Sequence, residues 1–270
     1  MGYATAIRVF VFVLIFFLVA LWENRRPRRT LTTSKKRRWF SNLTFIIGNP
    51  VLVHLVLPIL AIDTAVIAQQ RSWGLFNMVD WPVWVEFLVG VAILDLVVYL
   101  QHVMFHATPL LWRLHMMHHA DLDFDLTTGL RFHPIEIILS MILKIAVVAV
   151  LGPPVAAVLV FEILLNGMAM FNHGNIAIPV SIDKWLRRLV VTPDMHRVHH
   201  SVIIRETNSN FGFNLSVWDR LFGTYCAQPQ KGHMKMTIGL SQFRDETKLT
   251  LPWLLVLPAI GDPGRQPINR

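Results

Sequence analysis

Nine histidines stand at spacings that repeat along the chain. His102 and His106 lie four apart, and His115, His118 and His119 form an i, i+3, i+4 trio. His196, His199 and His200 repeat that trio far downstream, with His173 between the two. On a helix, residues three or four apart share a face, their Cβ atoms about 5–6 Å from one another. Each set therefore points its imidazoles together. Grouped imidazoles repel when protonated and leave donors unpaired when packed dry; bound cations remove both difficulties. Eight to ten ligands exceed what a catalytic zinc takes, since it holds about three protein ligands and an open position. They suit two metals with four or five imidazoles each. Imidazole serves zinc, copper, iron and nickel alike, so the residues speak to the presence of metal more than to its identity. His133 is a further candidate ligand, its direction obscured by Pro134, while His54 and His233 read as polar filler.

Asp95 and Tyr99 continue the stripe of His102 and His106 into the apolar run before them. Asp95 is therefore expected either to orient an imidazole by accepting its N–H or to make a polar contact within a bundle. Asp121, Asn172 and Asn210 are candidates for the same supporting role, with Asp125 and Asn208 behind them. Arg197 is expected to pair with Asp194 or Asp219.

The elements that must carry these residues are apolar. Hydrophobic residues make up 54% of the 270, and only 16% are charged, against about 45–50% and about 25% in soluble domains. The single cysteine, Cys226, excludes an internal disulfide and any cysteine-held cluster. The net charge of +8 concentrates between residues 25 and 38, at Arg25, Arg26, Arg28, Arg29, Lys35, Lys36, Arg37 and Arg38. A basic block between two apolar runs marks the cytoplasmic side of a membrane, and it does not resemble a duplex footprint, so no nucleic-acid partner is implied.

A span needs about 20 apolar residues. Runs at residues 3–22, 42–68 (interrupted by Gly48-Asn49-Pro50) and 81–100 are the first three, the first reading as an uncleaved span. A hairpin at residues 135–151 and 155–170 turns at Gly152-Pro153-Pro154, with Lys144 and Glu162 inside it, either snorkelling or facing the bundle. Residues 251–260 are too short to span and are expected on the interface or beneath the polar part. With the basic block inside, every histidine stretch falls on the cytoplasmic side. The expected fold is thus all-α: an integral-membrane helical bundle with a cytoplasmic histidine-rich helical cap holding a dimetal site. Its parts are residues 1–41 (first span and basic segment), 42–82 (second helix and outer loop), 83–225 (catalytic region) and 226–270 (tail). Such a site, just outside the bilayer above apolar helices, is placed to receive a lipid chain. Short loops point to a bacterial inner membrane.

Residues 83–225 resemble the fatty acid hydroxylase and sterol desaturase superfamily of membrane di-iron oxygenases. The similarity rests on the HxxxH pair His102/His106, both HxxHH boxes and the isolated His173. It extends through the stretches from Asp125 to Arg131 and from Thr192 to His200, and from Asn210-Phe211-Gly212 to Trp218-Asp219-Arg220-Leu221-Phe222-Gly223-Thr224-Tyr225. The second box and the last run are most similar to alkylglycerol-monooxygenase-like members. The resemblance implies two irons on His102, His106, His115, His118, His119, His173, His196, His199 and His200, with O2 as co-substrate. It implies hydroxylation or desaturation of a lipid C–H bond. No dinucleotide fingerprint occurs, so electrons are expected from a separate donor protein. A zinc-dependent membrane hydrolase and a histidine-rich metal-binding or transport protein are the alternatives.

Overall fold

The computed structural model describes residues 2–264 and 268; the ends of the predicted tail, 265–267 and 269–270, and residue 1 lie outside the described residues. The architecture is all-helical, and the only strand-like pairings among the described residues are three isolated bridges. Five helices are long and apolar enough to cross a membrane: α1 (Gly2–Arg25), α2 (Lys35–Val56), α4 (Val83–Ala107), α6 (Pro134–Leu151) and α7 (Val155–Asn172). Between α2 and α4 lies the ten-residue α3 (Ala61–Gln70), which packs on α6 and α7 through Ala61 and Ala65 against Val148, Val158 and Phe161. The cap adds α5 (Pro109–His119), α8 (Val180–Leu186) and α9 (Pro193–His199).

Local chemistry sets the helix ends. Pro109, Pro134 and Pro193 each open a helix at a first-turn position, where the missing N–H costs nothing. Ser34 caps α2 by accepting from the Arg37 N–H, and Thr192 caps α9 by accepting from that of Met195. Gly152 ends α6 at φ 61°, and a Cβ there would lie 2.3 Å from the Trp73 carbonyl oxygen, so the outer loop and the hairpin turn meet backbone to backbone.

The interruption expected at Gly48-Asn49-Pro50 falls elsewhere. Helix α2 runs through Pro50 and stops at Val56, because Pro58 disfavours helical geometry at Leu57, which is extended. The N-terminal start also moves back, to Lys35. The other apolar runs match their helices, and Leu251–Ile260 is a short helix packed against α5, with Leu254 and Leu257 on Trp112, Met116 and Met117.

All five long helices bring one end to the cap: the C-terminal ends of α1, α4 and α7 and the N-terminal ends of α2 and α6. Glu23 near the end of α1 accepts from the backbone N–H groups of Leu126 and Asn175. Arg38 in the first turn of α2 reaches Asp121 and Asp125. Asn49 donates to the Phe132 carbonyl. The basic segment after α1 lies across the cap, with Arg28 paired to Asp194 and the Thr32 and Thr33 amides on Asp123.

Candidate metal centre

The nine histidines converge, all buried, none more than 4% exposed. Their ligating nitrogens fall into two groups, within each of which they lie no more than 4.8 Å apart: His102, His106, His115, His119 and His199, then His118, His173, His196 and His200. Either group could hold a metal ion. The groups adjoin, with ring centroids 4.5 Å apart for His119 and His200 and 5.1 Å apart for His115 and His118. The two boxes, distant in sequence, thus share one end of the bundle.

Neither trio stays together. In each, the i and i+4 imidazoles join one group, and the i+3 imidazole crosses to the other. His115 and His119 sit in the five-histidine group with His199, while His196 and His200 sit in the four-histidine group with His118. Helix α5 ends at His119 and α9 at His199, so each box occupies a terminal turn open on several sides.

Six of the nine rings have their outward nitrogen held by a fixed acceptor. Nδ1 of His102 bonds the Phe211 carbonyl at 2.8 Å, that of His118 the Arg131 carbonyl at 3.2 Å, and that of His199 the Ser209 carbonyl at 2.8 Å. His115 Nδ1 meets the Glu136 carboxylate at 2.7 Å, His106 Nδ1 the Asn208 side-chain oxygen at 3.1 Å, and His173 Nδ1 the Asn172 side-chain oxygen at 2.6 Å. An acceptor at Nδ1 demands a proton there, which leaves the Nε2 lone pair facing inward. Burial drives His115 and His173 down to about 3, and burial with neighbouring imidazoles holds His118, His119, His196, His199 and His200 well below the ordinary histidine range. Neutral imidazoles are the form that binds metal.

The inward nitrogens then lack partners. His173 Nε2 lies 3.2, 3.1 and 3.2 Å from Nε2 of His118, His196 and His200, and lone pairs facing one another cannot all be satisfied by protons. His106 Nε2, His199 Nε2 and both ring nitrogens of His119 are buried without a hydrogen bond. Imidazole nitrogens bind metal at about 2.0–2.1 Å, which sets ligands of one ion about 3 Å apart. The donor set fits cations.

The supporting residues divide differently from expectation. Asn172 and Asn208 do touch imidazoles. Asp95 does not: its carboxylate accepts from the Leu215 N–H and Trp218 Nε1, the structural contact that was its other reading. With Asp219, which accepts from the Phe211 and Gly212 N–H groups, it fixes the loop whose carbonyls receive His102 and His199. Asp121 binds Arg38 and Thr128, and although burial favours its neutral form, Arg38 and Arg131 hold its carboxyl well below the usual range. The Asn210 side chain spends itself on backbone, bonding Met195 and Cys226 at φ 53°. Arg197 pairs with Asp194. His133 lies outside both groups and caps α6, accepting from the Ile135 N–H while its other nitrogen meets the Leu255 carbonyl.

Glu136 is the supporting residue that sequence reasoning did not single out. Its only signal was a carboxylate in the first turn of an apolar helix. Gly129 is equally placed: a Cβ there would lie 2.2 Å from the Ala169 carbonyl oxygen and 2.9 Å from His173 Nδ1, so the turn it occupies packs directly against the base of the site.

From the five-histidine group a cavity of about 750 Å³ runs into the bundle. His102, His115, Glu136 and Phe213 line one end, and its wall is otherwise largely apolar, with Phe45, Leu94 and Phe161 among the lining residues.

A helical membrane bundle carrying paired histidine groups over a lipid-sized cavity defines the class. The chain belongs to the fatty acid hydroxylase family, whose model matches residues 87–224. It is 30% identical over 152 residues to an ornithine lipid hydroxylase of Rhizobium tropici, covering 56% of this chain and 45% of that one. To the alkylglycerol monooxygenases of Xenopus tropicalis and Homo sapiens it is 28% identical, over 63% and 67% of this chain and 38% and 39% of theirs. The chain thus spans less than half the length of these relatives. No solved structure matches it.

Proposed function

We propose that this protein is an O2-dependent lipid hydroxylase whose two irons are held by the five- and four-histidine groups. The observation that carries the reading is His173 Nε2, within 3.1–3.2 Å of three other Nε2 atoms, an arrangement that a shared cation satisfies and protons do not. The printed activities of the relatives, lipid hydroxylation and alkylglycerol monooxygenation, supply the reaction class. The preference for hydroxylation over desaturation rests on those names.

When bound, iron supplies oxygen activation with electrons from outside the chain, and the proposed source is a separate donor protein. The chain's own residues do the rest. Phe45, Leu94, Phe161 and Phe213 in the cavity wall seat a hydrocarbon chain and exclude water. His102 and His115 mark the end at which the C–H bond is presented. Glu136 and the Phe211 carbonyl hold those two rings in place. The basic segment beside the cap supports a cytoplasmic orientation of the site, and the setting proposed is a bacterial inner membrane.

Metal analysis of the purified protein tests the reading. About two irons per chain, with lipid oxidation that needs both O2 and reductant, are expected of two groups of this donor type. One zinc, with lipid hydrolysis in the absence of O2, would instead establish the hydrolase reading.

A further inference from the structure

The far part of the same cavity carries charges that the reaction does not use. Glu162 on α7 is 3% exposed and lies between two cations: Lys144 of α6, with Nζ 3.0 Å from Oε1, and Arg8 of α1, with Nη2 3.1 Å from Oε2. All three line the cavity. Of the other polar groups on its wall, Gln101 donates to Ser140, Asn166 to the Glu162 carbonyl and Asn49 to the Phe132 carbonyl. In the triad, two full positive charges share one carboxylate. An ion pair alone would serve to bind the helices together. A second cation inside an apolar bundle is costly unless something negative completes it. Neither cation is spent, since a guanidinium has five N–H donors and an ammonium three.

The geometry points to an anion-binding subsite: we infer that the lipid lies in the cavity with a carboxylate or phosphate group against Arg8 and Lys144 and its chain running to the histidines. This deepens the lipid-hydroxylase reading and rests on it for the identity of the cavity's occupant. The reach is consistent. Eight residues of α6 separate Lys144 from Glu136, about 12 Å, which an extended chain covers in about ten bonds.

Equilibrium binding to the purified full chain in zwitterionic micelles tests the inference, using radiolabelled hexadecanoic acid, hexadecyl phosphate, hexadecanol and methyl hexadecanoate. The wild type should bind the acid or the phosphate about tenfold more tightly than the alcohol and the ester, as a desolvated charge-assisted hydrogen bond provides. Preference for the acid names a fatty acyl carboxylate, and preference for the phosphate names a phosphorylated lipid. Lys144→Met leaves a balanced Arg8–Glu162 pair and should erase the preference while leaving alcohol binding unchanged. Glu162→Gln removes the competing anion and should keep or widen it. Equal binding of all four probes to the wild type overturns the subsite, as does an undiminished preference in folded Lys144→Met. Binding is read without turnover, so a protein that failed to oxidise lipid yet preferred the acid would count against the hydroxylase reading alone.

Discussion

The cap holds two buried polar clusters, and they are built on opposite terms. In one, Arg38 faces Asp121 and Asp125, with Nε 2.6 Å and Nη1 2.7 Å from their carboxylate oxygens, while Thr127, Thr128 and Trp39 take up the remaining lone pairs. Donors meet acceptors and opposite charges meet one another. In the other, nine imidazoles gather their ligating nitrogens into two groups, and six of them, bonded at Nδ1, turn Nε2 inward. The first cluster gives Arg38 and both carboxylates protein partners and ties α2 to the loop after α5. The second leaves buried ring nitrogens without one, as groups that could hold a metal do. Burial and polarity are alike in both, so complementarity is what separates a cluster that holds the fold from one that could hold a metal.

Four substitutions probe that contrast. His199→Ala is the most severe for function: it should strip metal from the five-histidine group and cost lipid oxidation more than the roughly 10–100-fold that a supporting residue costs, with helical content retained by circular dichroism. If metal and activity both survive, the second box is not a ligand set. Arg38→Met should do the reverse. It leaves Asp125 without its cation and Asp121 with Arg131 alone, which costs about 3–5 kcal/mol, read as a lowered unfolding midpoint in detergent, while the metal bound per folded chain stays constant. Glu136→Gln weakens the acceptor behind His115 and should reduce metal affinity about 10–100-fold, measured by chelator competition, with little change in unfolding. Asp95→Asn should be mildest, within about 1 kcal/mol, because an amide oxygen still accepts from Trp218 and Leu215; metal content should not move. An Asp95→Asn protein that lost metal would show that the loop at residues 211–218 does more than carry carbonyls.

Much of this was legible in the chain. The apolar runs marked the spans because lipid-exposed length is set by the bilayer, and the helical spacing of the boxes marked the side chains that converge in two groups able to hold a metal. The partition of each trio was not legible, because i+3 and i+4 lie about 100° apart on either side of i, and spacing alone does not say which of them stays with i. Glu136 stayed hidden because its partner, His115, is 21 residues away in sequence and a carboxylate beginning a helix is ordinarily a dipole effect. Asp95 misled because its stripe aligns it with His102, yet its carboxylate is taken by Trp218 and the Leu215 N–H. Gly48-Asn49-Pro50 misled in the other direction: it carries three unfavourable residues for a helix, but Asn49 is anchored to Phe132 and the chain continues helically to Val56.

The crossing of the boxes has a consequence for assembly. Helices α5 and α9 each contribute to both histidine groups, so the two halves of the centre have common scaffolding. If each group takes an ion, the first to bind orders backbone that its neighbour also needs, and that ordering entropy is lost once for the pair. Loading should then be cooperative, with partly filled chains scarce at every stage of a titration.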